Sequence, residues 1–345
     1  MSTHSHEPQK LLVFAVDGYP LEASAWIGQS ETFFTTRPVV IINPATSVHS
    51  RYYNHFANYL YANGFDVVTY DYRGIGNSRH GSLRGFDASW IDWGTKDFEG
   101  VLRFVAARFR GQPIHVVAHS VGGFLVGLAE SNHLVSRVFT MGAQFAYWKD
   151  YAQHRRWSMF WQWHVLMPTL AAILGYFPGK RLGWLEDTPK GVVSDWTARH
   201  PRFEDAYQTG RRAMPPEQRQ ELVARFAQMK GEILALSVTD DAFGTIPAIN
   251  RLLDYFKDSQ TTHLRVAPSM LGLNKIGHFA FFNKSFQDSL WDIPLTWLRD
   301  GRLAEDAPGQ LVTQAEVKSS AAGGDQRPRC ADTKPKSLFC NSIRK

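Results

Sequence analysis

The segment Ala118-His119-Ser120-Val121-Gly122 sets a serine between small residues, directly after the apolar run PIHVVA. A serine hydroxyl attacks a carbonyl carbon only when a neighbouring base removes its proton. To do so it must project from a sharp strand-to-helix turn, with the backbone N–H of the next residue, here Val121, aimed at the oxyanion that develops. Such a turn crowds the positions two before and two after the serine, so both must be small. The usual pattern is Gly-x-Ser-x-Gly, and Ala118 departs from it by one methyl group. A serine in an ordinary surface turn can show the same five residues. Context separates the two readings: a buried strand, PIHVVAHS, leads into Ser120 and a helix, GGFLVGLAE, leaves it.

A nucleophilic serine needs an imidazole to carry its proton and a carboxylate to orient that imidazole. Downstream, the stretch KIGHFAFF offers His278, and EILALSVTDD ends in the adjacent acids Asp240 and Asp241. His115 and His119 are closer in sequence but poorer candidates, because His119 is fixed within the turn and His115 points into the sheet.

The elements that would bring these groups together follow from hydrophobic periodicity. LLVFAV (11–16) and LEASAWI (21–27), joined by Asp17-Gly18, read as a hairpin. PVVIINPA contains a continuous apolar run at 39–42, the pattern of a strand covered on both faces. A helix is expected over 51–65, then a strand in FDVVTYDY, and an amphipathic helix over 90–109 with Phe98, Val101, Leu102, Val105 and Phe109 on one side. Another strand follows at 136–143. This alternation predicts an α/β fold, a mostly parallel twisted sheet flanked by helices. The pattern breaks from about Phe145 to Lys230, where no strand stands out, and resumes at 232–241. The expected organisation is a core of residues 9–144 and 231–302, a helical cap insertion over 145–230, and a disordered tail over 303–345, where Ala, Gly, Ser, Pro and mixed charge cannot bury enough apolar surface to order the chain.

Composition excludes other classes. The 345 residues carry a net charge of +6, from 38 Lys and Arg against 32 Asp and Glu, without a block that would track a phosphate backbone. No nucleic acid is expected as a partner. The two cysteines, Cys330 and Cys340, both lie in the tail, so the body has neither a disulfide framework nor a thiolate metal site. That usage and the polar start MSTHSHEPQK suggest a cytoplasmic protein. The apolar stretch 157–179 is interrupted by Gln162, His164 and Pro168 and reads as a cap wall, not a transmembrane segment. Neither a nucleotide-binding glycine loop nor a metal-ligand cluster appears, so no cofactor and no metal are expected.

Taken together, the elbow, the order of the motifs and the alternation over roughly residues 9–300 resemble the α/β-hydrolase superfamily. The likeness is to its serine-hydrolase branch, near the serine-aminopeptidase and lysophospholipase-like group. The loop DYRGIGNS (71–78) is similar to that group's loop after the fourth strand, where Asp71, Arg73, Gly74 and Gly76 fix the backbone. The resemblance implies the order serine, acid, histidine, with His278 in a Gly-His-Phe pattern as the base and Asp241, in preference to Asp240, as the acid. It also implies a second oxyanion donor in the loop after strand 39–42. Many relatives have His-Gly there and this chain has Asn43-Pro44; proline has no N–H, which leaves Ala45, with Thr46 in reserve.

The implied activity is a serine hydrolase, a carboxylic ester hydrolase that forms an acyl-enzyme on Ser120 from a small-molecule ester. Trp157, Trp161 and Trp163 either receive a hydrophobic acyl or aromatic group or simply glue the cap to the sheet. Acyl transfer to a small acceptor uses the same residues, and a ligand-binding protein that lost turnover would keep the same fold.

Overall fold

The computed structural model describes residues 7–28 and 37–321. Cys330 and Cys340 lie outside the described residues. Strands β1 (Gln9–Phe14), β2 (Pro20–Trp26), β3 (Val39–Asn43), β4 (Asp66–Tyr70), β5 (Ile114–His119) and β6 (Val135–Met141) belong to one sheet. A small separate hairpin pairs β7 (Tyr176–Phe177) with β8 (Thr188–Pro189), and β9 (Glu232–Val238), β10 (Thr261–Val266) and β11 (Gln310–Leu311) complete the main sheet. Its order is β1-β2-β4-β3-β5-β6-β9-β10-β11. Pairings from β4 through β10 are parallel, and only β1, β2 and β11 run antiparallel to their neighbours.

Strands β3, β4 and β5 are buried at every position, as continuous apolar runs require when helices cover both faces. Helix α1 (Asn54–Ala62) packs against the C-terminal region through Phe56, whose ring meets Phe281 and Trp291 edge-on. Helix α2 (90–108) lies against α3 (Val121–Leu128), where Gly94 leaves room for Leu128. Parallel register places Asn43 beside Ala118, Ala118 beside Thr140, and Met141 beside Leu236. The loops after β3, β5, β6 and β9 therefore gather at one edge, outside the carboxyl ends of the strands, where α/β sheets hold their sites.

Two expectations change here. The segment between β6 and β9 is mostly helical, with α4 (156–174), α5 (Lys190–Trp196) and α6 (Pro216–Gln228), yet it contains the β7–β8 hairpin. In addition, residues 303–321 are not a featureless tail. Gln310 and Leu311 extend the sheet beside Arg265 and Leu264, and a helix over Gln314–Ala321 follows. Edge pairing uses backbone groups, which a polar sequence supplies as well as an apolar one.

Four buried histidines are expected to make the fold acid-sensitive. Desolvation penalises the imidazolium form and pushes His115 and His164 down to about 4, and His119 and His263 down to about 3. In the unfolded chain each takes up a proton near the ordinary value of about 6.5. The unfolded state therefore binds more protons below that value. Stability is complete above it and falls as pH drops towards the folded values. At about pH 5 each histidine costs roughly 2 kcal/mol, a sum comparable with the ~5–15 kcal/mol that holds a domain folded. The urea midpoint, followed by tryptophan fluorescence, is expected to fall steeply from about pH 6.5 to 5. A midpoint that stays level over that window contradicts the burial argument.

Candidate active site

Ser120 occupies the junction of β5 and α3 with φ 54° and ψ −123°, a conformation that non-glycine residues adopt only when their surroundings impose it. Its N–H donates to Met141 O (3.0 Å), which pins the turn to β6. A Cβ at Gly122 would lie 2.5 Å from Asn43 O, so the second position after the serine must be glycine for α3 to approach the β3 loop. Val121 opens α3, and the first N–H groups of a helix have no partner within it.

At the end of β9, the chain turns so that Asp241 is buried while Asp240 stays exposed. His278 Nδ1–H donates to Asp241 Oδ2 at 2.7 Å, and Asp241 Oδ1 accepts the N–H of Phe243, also at 2.7 Å. Burial alone would raise the Asp241 carboxyl. The His278 charge and hydrogen bond, with the Gly244 and Phe243 N–H groups, outweigh it and hold the carboxyl below the usual range. Gly142, at φ 60°, passes so close that a Cβ would lie 3.0 Å from both Asp241 Oδ2 and His278 Nδ1. Asp240 serves the loop instead, since its Oδ2 accepts Ile276 N–H at 2.9 Å and holds the chain that leads to His278. With Nδ1–H given to Asp241, His278 presents the lone pair of Nε2, and its ring lines the same small cavity as Ser120.

The loop after β3, expected to hold the second oxyanion donor, differs from expectation at Ala45. Its N–H donates to Tyr53 Oη at 2.9 Å and is already committed. Tyr53 Oη also lies 2.8 Å from His119 Nδ1, and His119 Nε2 lies 2.8 Å from His278 O. A carbonyl can only accept, so Nε2 carries the proton, Nδ1 accepts from the tyrosine, and the tyrosine oxygen accepts from Ala45. Burial keeps His119 neutral, consistent with that arrangement. The relay joins the loop after β3 to the loop that bears His278 and runs through the buried His119. Thr46, next in the chain, also faces the cavity. The turn that follows uses Val48 N–H and Ala45 O, and so leaves Thr46 N–H outside its bond.

Ser47 then adopts φ 57° and is clasped by residues 186–188: its O accepts Glu186 N–H (2.9 Å), and its Oγ shares a 2.6 Å hydrogen bond with Thr188 Oγ1. Among the described residues the non-glycine positions with positive φ are Ser47, Ser120 and Ala146. All three border this cavity or adjoin its lining.

Aromatic rings close the space around Ser120, and Trp157, Trp161 and Trp163 are not among them. Trp90, Trp196, Phe243 and Phe279 form the walls of a cavity of about 20 Å³. Trp163 is buried behind them, stacked on Trp196 with centroids 4.9 Å apart, while Trp157 and Trp161 face outward. Gln144, absent from the sequence reading, sits on the cavity wall with its Nε2 3.5 Å from Ser120 Oγ and its Oε1 accepting Ala146 N–H. No local signal marks it, since its place depends on the turn after β6. A larger groove of about 480 Å³ lies between residues 201–204, α6 and 251–257, and its lining includes neither a serine nor a histidine. Among the described residues, no group of three or more His, Cys, Asp or Glu could hold a metal, and no helix is long and apolar enough to cross a membrane.

Residues 35–229 match the family described as serine aminopeptidase, S33, a span that includes Ser120 and stops short of Asp241 and His278. Among solved structures, a soluble variant of monoglyceride lipase from Saccharomyces cerevisiae, in complex with a substrate analogue, superposes with a TM-score of 0.59 at 14% identity, over 88% of this chain and 98% of that one. DcsB, in complex with its substrate analogue, gives 0.54 at 14% identity, over 86% of this chain and 100% of that one. An esterase of Pyrococcus furiosus gives 0.52 at 12% identity, covering 86% and 91%. Likeness at such identities shows the α/β-hydrolase fold. No curated protein matches the sequence. Since the family match spans more than half of the chain, and takes in the strand, elbow and helix around Ser120, this protein belongs to the serine aminopeptidase family of α/β hydrolases.

Proposed function

We propose that the protein is a serine hydrolase in which Ser120 attacks an ester carbonyl, His278 moves the proton and Asp241 holds His278. The observation that carries this reading is the 2.7 Å Asp241–His278 hydrogen bond, with His278 and Ser120 on one cavity wall. His278 Nε2 takes the proton from Ser120 Oγ as the Oγ–carbon bond forms, and the carbonyl oxygen becomes an oxyanion. Val121 N–H and Thr46 N–H stabilise that charge, with Thr46 in place of the committed Ala45. The oxyanion collapses, the alkoxide departs with the proton from His278, and water repeats the sequence on the acyl-enzyme. Esters suit this site because an alkoxide leaves more readily than an amine.

Trp90, Trp196, Phe243 and Phe279 favour an apolar acyl or aromatic group at the carbonyl. Residues 145–230 act in this reading as a cap on a core of residues 9–144 and 231–302. A fluorophosphonate probe is expected to label the protein at one site, mapped by peptide mass spectrometry to Ser120, and p-nitrophenyl butyrate is expected to compete. A probe that labels elsewhere, or not at all, counts against the assignment.

A further inference from the structure

Helix α4 offers a surface that the hydrolytic site does not use. Its middle, Gln162–Leu166, is a π-helical stretch, whose wider turn takes up the drift of a four-residue repeat. Met159, Trp163, Met167 and Ala171 consequently share one buried face. Trp157, Trp161, Leu166 and Ile173 fall within roughly a quarter turn of one another on the opposite side. These four are 64%, 63%, 44% and 72% exposed. The remaining large apolar residues of the described surface are scattered or lie at the sheet edges. An exposed apolar stripe of this kind marks a contact with something apolar.

Charge narrows the partner. Residues 157–179 contain no Lys, Arg, Asp or Glu, and no carboxylate occurs anywhere from 151 to 185. Cations stand at both ends of the uncharged run, Arg155 and Arg156 before it, Lys180 and Arg181 after it. Lys180 pairs with Glu186, whereas Arg155, Arg156 and Arg181 form no ion pair among the described residues. Tryptophan and isoleucine between arginines, without a single acid, match the layered chemistry of a lipid surface: acyl chains, a headgroup boundary and anionic phosphates. Among the described residues no helix is long and apolar enough to cross a membrane, so the contact would lie in the plane of the interface.

We propose that α4 is the face with which this protein docks on an anionic phospholipid bilayer. Docking would press on the same helix whose inner side, through Trp163, supports Trp196 at the Ser120 cavity. Binding does not depend on the proposed chemistry, so either reading can fail alone.

Cosedimentation of the full chain with vesicles tests it, using equal parts phosphatidylcholine and phosphatidylglycerol beside pure phosphatidylcholine. The wild type is expected to bind the anionic vesicles more tightly, and added salt to weaken binding. A Trp157→Ser, Trp161→Ser, Ile173→Ser triple variant is expected to lose at least about tenfold in affinity while its circular dichroism and melting temperature hold. If that variant does not fold, Arg155→Gln with Arg181→Gln serves in its place, with a loss confined to anionic vesicles. Absence of wild-type binding, or undiminished binding by the folded triple variant, overturns the proposal. So does a lipid-free dimer that the triple variant dissociates, which would assign the face to a second copy of the chain.

Discussion

Replacing Ser120 with alanine is expected to lower kcat/KM for a short p-nitrophenyl ester by roughly 10⁴- to 10⁶-fold. The substitution removes one oxygen, and with it the only atom of this residue able to bond the acyl carbon. What survives is the rate due to binding and to the oxyanion donors, typically ~10³–10⁴ over water. The fold should be unaffected. Alanine keeps the Cβ that already tolerates φ 54°, and the hydroxyl's nearest side-chain donor is the Gln144 amide at 3.5 Å, a distance at which little is lost. Initial rates and melting temperature, measured on the same preparation, separate the two effects. A folded variant that turns over at the wild-type rate would remove Ser120 from the chemistry.

The second large effect concerns the paired acids. Asp241→Asn is expected to cost about 10⁴ in kcat, because its amide can donate to His278 Nδ1 and so favours the tautomer that leaves Nε2 protonated. Asp240→Asn keeps an oxygen acceptor for Ile276 N–H, and its kcat should stay within about threefold of wild type. Burial tells the two apart, since Asp241 is enclosed beside Gly142 and Gly244 while Asp240 is open to water. Equal losses, or a larger loss at Asp240, would contradict Asp241 as the acid.

Much of the architecture was legible because it rests on local pattern. Apolar runs such as VVII at 39–42 have few places to go except a strand covered on both sides, and the elbow is defined within five residues. The rest depended on distant partners. Nothing local to Ala45 signals that its N–H goes to Tyr53, eight residues on. For Trp157 and Trp161 the sequence leaves a cavity wall and a packing role both open, because composition reports how apolar a helix is without saying which way its faces turn, and a π turn shifts the register unannounced. Trp196 and Phe243, which do line the cavity, sit in segments with no distinctive spacing. Gln310 and Leu311 join the sheet through backbone atoms that no side-chain pattern reveals.

The clasp between Ser47 and residues 186–188 has a mechanical implication. A cavity of about 20 Å³ has space for little more than a water molecule, so a reactant enters only when a wall shifts. If the moving wall includes the β7–β8 hairpin, Glu186 and Thr188 travel with it and loosen the strained residue that follows Thr46. Admission and anion stabilisation then become alternate states of one latch: the doorway opens at the expense of the hole, and bond-breaking awaits its closure.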